Sequence, residues 1–160
     1  MGKVREVGEI HHYVCEDALD DDGYVLTTLG AATAGNLKKA TSSNYYKLIG
    51  VNFKSTEDPF NPGTYLSNQR IPVIVDGVVR VQITDASNRS TDIAVGDLVA
   101  VYDGGKVAHW EDCPIHTLLG TVNAANLERM LTSIVGQALE AVAADEDPDD
   151  GKILVKLSMH

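Results

Sequence analysis

His109, Cys113 and His116 stand in an H-x3-C-x2-H arrangement, and imidazole and thiolate at such intervals are zinc-binding chemistry. His11, His12 or Cys15 would supply a fourth ligand. Structural zinc sites normally pair their ligands more tightly, as in C-x2-C, so the spacing reads as a loop cluster and no metal is expected. Two acidic clusters, at residues 20–22 and 145–150, carry enough carboxylates for calcium. Neither alternates as D-x-D-x-D-G, so both read as solvated turns. The glycine-rich stretches 30–35 and 103–105 lack the Lys-Ser/Thr ending of a phosphate loop, and no G-x-S-x-G occurs. Asp103 with His109 at a barrel mouth is the best remaining acid–base pair, and it is equally a hairpin turn with a polar neighbour. No catalytic residue and no cofactor are expected.

The rest of the chain sets the frame for these residues. It has 160 residues, 44% of them apolar and 22% charged, which fits one globular domain with or without an arm. Thirteen Lys and Arg against 23 Asp and Glu give a net charge of −10. Phosphate attraction needs a basic face, so nucleic acid is not an expected partner, and neither is an anionic membrane surface. Two cysteines, Cys15 and Cys113, are too few for a disulfide scaffold and read as free thiols. No stretch reaches 18 apolar residues, and the start of the chain has no continuous apolar run of a targeting segment. Gly2 is not followed by Ser or Thr at position 6, so the myristoylation pattern fails. These features predict a protein made in the cytoplasm.

Residues 1–22 read as an acidic, polar arm that orders on meeting a partner. From Gly23 the chain turns to strand formers: 24–29, 47–53, 71–75 with 78–83, 97–102 with 106–110, 117–122 and 152–157. Asp76-Gly77 predicts a tight hairpin turn, and residues 55–70 predict a long loop. Residues 127–142 carry Leu127, Met130, Leu131, Ile134, Val135, Ala138, Leu139 and Val142 at helical spacing, with Asn123 or Asn126 as a cap. Gly136 in mid-run speaks for a strand instead.

A short echo bears on that choice. Leu48-Ile49-Gly50, Leu118-Leu119-Gly120 and Ile134-Val135-Gly136 share one pattern. Gly50 and Gly136 each lead through an acidic loop into a closing strand, and strands opened by Gly23 and Gly96 lie upstream of them. Two similar β units are expected, at 23–83 and 95–157 within a β domain spanning 23–160. The echo makes 134–142 a strand and confines the helix to about 123–131. The fold class is therefore mainly β: a small β-barrel or β-sandwich with an extended N-terminal arm and at most one or two short helices.

The second half runs Gly96-Asp97-Leu98-Val99, Asp103-Gly104-Gly105-Lys106-Val107, Val135-Gly136-Gln137-Ala138-Leu139-Glu140-Ala141, then Gly151-Lys152-Ile153-Leu154-Val155-Lys156-Leu157. In that order these segments resemble capsid decoration (cement, head-stabilising) proteins of tailed bacterial and archaeal viruses. The segments 113–131 and 55–70 depart from the compact family pattern. The resemblance implies a β domain that forms a homotrimer on the outside of an assembled capsid and bridges the major capsid protein lattice without catalysis. On that reading the arm, through Val4, Val7, Ile10 and Tyr13, adds an edge strand to the lattice. Tyr24, Tyr45, Tyr46 and Trp110 are then the expected trimer contacts. The other readings are a tail-tube or head–tail connector β domain, which would form rings, and a small β-barrel metal-binding or enzyme domain.

Overall fold

The computed structural model describes residues 7–53 and 64–159. Val4 and most of the loop expected at 55–70 lie outside the described residues. The chain is mainly β. Its strands are β1 (Val7–Cys15), β2 (Val25–Thr27), β3 (Lys38–Lys39), β4 (Leu48–Asn52), β5 (Gln69–Gln82), β6 (Leu98–Asp103), β7 (Lys106–His109), β8 (Ile134–Ala138) and β9 (Lys152–Leu157). One α-helix, α1 (Ala124–Ser133), precedes β8, and Asn123 caps it by accepting the Asn126 N–H. The strands form one antiparallel sheet in the order β3-β2-β4-β5-β9-β8-β6-β7, with β1 paired to β5 as well.

That order is palindromic because the chain repeats itself. In the first half β2 pairs β4 as Val25–Val51, Leu26–Gly50 and Thr27–Leu48, skipping one residue. In the second half β6 pairs β8 as Leu98–Gln137, Val99–Gly136 and Ala100–Ile134, with the same skip. Such a bulge turns the strand and tightens its twist. Gly23 and Gly96 both have φ of 93°, a conformation that glycine takes readily. Gly23 donates to the Asn52 carbonyl at 2.9 Å and Asn52 to Tyr24 at 3.1 Å; Gly96 donates to Ala138 at 2.8 Å and Ala138 to Asp97 at 2.9 Å.

The repeat corrects three sequence-based expectations. Residues 7–22 are not a separate arm. β1 pairs with β5 from Val7–Val78 to Cys15–Gln69, and Cys15 and Leu19 are buried. Tyr13, Val14, Cys15 and Leu19 turn wholly or partly into the fold, while residues 8–12 stay exposed. Asp76-Gly77 does not make a hairpin either. β5 runs straight through it, because β1 pairs along one edge while β4 and then β9 pair along the other. Each half of β5 thus finds partners that compete successfully with folding back on itself. Residues 114–120 form a 3-10 turn, with Pro114 at its start, rather than the strand expected at 117–122.

The unit boundaries move accordingly. The pairing His12–Pro72, Tyr13–Ile71 and Val14–Arg70 matches Arg80–Leu154, Val81–Ile153 and Gln82–Lys152. The parallel bridge Cys15–Leu37 likewise matches Ile83–Val107. The first repeat is therefore β1 to the first half of β5, and the second runs from the second half of β5 to β9. Each curls until a parallel bridge joins its outermost strands. Cys15, Leu19, Leu26, Leu37, Ile71 and Val73 fill the first curl. Ile83, Ile93, Val99, Val107, Ile153 and Val155 stand at the matching places in the second.

The two repeats pack against one another. Val25, Leu48, Val51 and Ile74 point out of the first curl, yet each is at most 2% exposed, in one cluster with Val79, Val101 and other residues of the second repeat. The β6–β7 turn seals this contact: Gly105 accepts from Val25 N–H at 2.8 Å and donates to the Ala40 carbonyl at 2.6 Å. Asp103 accepts from the Ser42 N–H at 2.9 Å.

Candidate interaction surfaces

Two surfaces stand out. The first is the edge of β1. Among the described residues β1 pairs along one edge with β5, and its other edge carries a single bridge, Cys15–Leu37. Residues 8–12 are exposed, Ile10 by 43%. An unpaired strand edge is a template for another strand. Of the four residues expected to contact the lattice, Val7 opens β1, Ile10 is exposed on it, and Tyr13 is half-buried against the first core.

The second surface is an apolar groove of about 420 Å3 beside the second repeat. Leu98, Trp110, Ile115, Leu119, Leu127, Met130, Leu131, Ile134 and Ser158 line it. Its origin is an insertion. Eight residues, 40–47, join β3 to β4, whereas 110–133 join β7 to β8. The added turns and α1 cover Ala100 and Ala108 with Cys113, Ile115 and Met130. They leave Leu119, Leu127 and Leu131 exposed by 44%, 49% and 58%. The helical spacing of Leu127 and Leu131 is visible in the sequence, but only the fold reveals that they face away from the core.

The expected trimer contacts divide. Tyr24 and Tyr45 are buried in the chain's own cores and offer no surface, which corrects that expectation for both. Tyr24 donates its hydroxyl to Asp20 at 2.5 Å, and burial followed by that carboxylate pushes its ionisation far up. Tyr46 is half-buried under the Arg129 guanidinium, 5.0 Å from its ring centre. Trp110 is half-buried on the wall of the groove.

His109, Cys113 and His116 do not converge as ligands. The His109 Nδ1 accepts from Glu111 N–H at 3.2 Å, and its Nε2 faces Asp97 at 3.5 Å. Lys39 and Tyr24 stand at the matching places in the first repeat, with the ammonium 4.9 Å from the ring centre. The position makes a cross-strand polar contact in both repeats. Cys113 is buried with its thiol against the carbonyls of Ala100 and His109 at 3.3 and 3.4 Å, and burial pushes its ionisation up to about 12. His116 is exposed, edge-on to Trp110 at 5.6 Å. Among the described residues no three His, Cys, Asp or Glu side chains are grouped to hold a metal ion. Cys15 and Cys113 are both free and buried.

The acidic clusters have structural partners that the sequence does not disclose. The Lys152 ammonium joins Asp21 and Asp22 at 3.2 and 2.5 Å, and Arg80 joins Glu140 and Asp150 at 2.6 and 2.8 Å. The buried guanidinium of Arg89 donates to the carbonyls of Thr84 and Ala143, each at 3.1 Å, and to that of Glu146. It pins the acidic loop after β8 to the loop after β5. No protein-family model matches the chain, and no curated protein is significantly similar to it.

Proposed function

We propose that this chain is a structural virion protein that binds the outside of an assembled capsid as a trimer and stabilises the shell by bridging major capsid proteins. The observation that carries the proposal is the edge of β1 at residues 8–13, unpaired among the described residues, a place where a strand of a capsid protein can add to the sheet. Two further features support it. The order of short segments in the second half resembles that of capsid decoration proteins. A net charge of −10 also suits a high-copy protein on the outer surface, away from packaged nucleic acid.

The mechanism is mass action. A ligand that binds only the assembled shell stabilises it by RT ln(1 + [L]/Kd), about 2.7 kcal/mol per site at a hundredfold excess over Kd. Many sites and a multivalent ligand turn such modest contacts into a clamp. The chain is then made in the host cytoplasm and ends on the virion surface, with no enzymatic role and no cofactor. The test mixes purified protein with undecorated capsids and measures binding and heat resistance. Saturable binding with a raised disruption temperature is expected; capsids that bind none of it overturn the proposal.

A further inference from the structure

We propose that the groove of the second repeat is a self-association face, filled head to tail by the first repeat of a second copy of this chain. The inference deepens the trimer reading above by naming its surface. It starts from the internal repeat. The outer face of the first repeat, at Val25, Leu48, Val51 and Ile74, is buried beneath the second repeat. The matching positions in the second repeat are Leu98, Ile134, Gln137 and Lys156. Among the described residues these positions are left open: Leu98 is 39% exposed, Gln137 and Lys156 are exposed, and Ile134 is half-buried on the wall of the groove.

The same place also carries the densest apolar exposure. Leu98, Leu119, Leu127 and Leu131 lie together there, and a contiguous apolar patch on a soluble chain marks a contact surface. The repeat identifies the occupant. Within the chain, the first face is sealed by the β6–β7 turn of the following repeat. The matching turn of the first repeat is the β2–β3 connection at 28–37, built from Gly30-Ala31-Ala32-Thr33-Ala34-Gly35. Residues 32–35 are exposed, and their small side chains permit close approach. A first repeat from another copy thus stands to the groove as the second repeat stands to the first face. One copy offers a groove and the other a turn, so the contact is heterologous and closes only as a ring.

The test is the mass in solution, measured by light scattering without capsids. The wild-type chain is expected as a closed oligomer. The double variant Leu127→Asp, Leu131→Asp is expected at the mass of one chain, 17.2 kDa, with an unchanged circular dichroism spectrum and melting temperature. A monomeric wild type, or a folded variant of wild-type mass, overturns the proposal. Direction is read by crosslinking, because the native thiols are buried. Ala32→Cys chains mixed with Leu131→Cys chains should join covalently, whereas Leu131→Cys chains alone should not. Self-joining of Leu131→Cys overturns the head-to-tail contact. No capsid takes part in either measurement, so their failure leaves capsid binding standing, and failure to bind capsids leaves this contact standing.

Discussion

Gly136 lies so close to Lys156 that a Cβ on the glycine would stand 2.0 Å from the lysine carbonyl oxygen. Gly50 stands in the same relation to Ile74 in the first repeat, where the distance would be 2.4 Å. The neighbouring strand approaches closely at each place, and only a residue without a side chain fits. Gly136→Ala is expected to cost about 3 kcal/mol by urea denaturation, since the obstacle is backbone and cannot swing away. Gly120→Ala is the control. A Cβ there meets nothing within 4 Å, and the change should stay within about 0.5 kcal/mol of wild type. Equal effects of the two substitutions would refute the close approach.

Arg89 should be among the most sensitive charged positions. Its side chain is 0% exposed and serves three carbonyls from two loops. Arg89→Met leaves those acceptors buried without donors, at an expected cost of about 3 kcal/mol. Arg89→Lys keeps the charge but loses the planar fork, and is expected to recover less than half of the loss. Full recovery by lysine in urea denaturation would show that charge alone matters here.

The acid limb of stability should depend on Asp112. Burial pushes its carboxyl up, but hydrogen bonds from the N–H and O–H groups of Ser90 and Thr91 outweigh burial and hold it below the ordinary 3.8. A carboxyl depressed in the folded state contributes stability that is fully present above its unfolded value and is lost as pH falls through its folded value. The contribution therefore fades below about pH 3.8. Asp112→Asn is expected to lose about 1 kcal/mol at pH 7 and to show a flatter decline of stability below pH 4. Parallel curves for variant and wild type would remove Asp112 from the acid transition.

Both thiols should be silent in the folded protein. Burial pushes Cys15 up and takes Cys113 to about 12, so at pH 8 the reactive thiolate of Cys113 is about one part in ten thousand. A thiol reagent should count no fast group in the native chain and two after denaturation. Rapid modification of either cysteine in the native state would contradict the burial of its core.

The β1 edge makes its own prediction. Ile10 is exposed and its backbone pairs with Ile74, so Ile10→Lys should leave the melting temperature within a degree or two of wild type. A lysine on a strand edge opposes strand addition, and capsid affinity should fall about tenfold or more. Unchanged affinity in a capsid pull-down titration would take this edge out of the lattice contact.

The echo of Leu48-Ile49-Gly50 in Ile134-Val135-Gly136 was legible because steric exclusion writes glycine into the chain directly. So was the helix boundary, since Asn123 caps locally and Ile134 opens a strand. β1 was not legible as a folded strand: its partner lies more than fifty residues away, and its exposed residues look like those of a solvated tail. Asp76-Gly77 misleads for the same reason. A turn dipeptide reports a local preference, and the partners lined up on both edges of β5 override it. The groove depends on which way Leu127 and Leu131 face, which a helical period alone leaves open.

β5 belongs to both repeats, and this ties their fates together. A cut between the two halves of β5 leaves each ring its own strands but separates the faces they bury against one another, uncovering Val25, Leu48, Val51 and Ile74. A nascent chain can close the first curl once the first half of β5 is made, but its outer face stays uncovered until the second repeat follows. The two copies of the motif melt and form as one body, and loosening at either end is felt by the other.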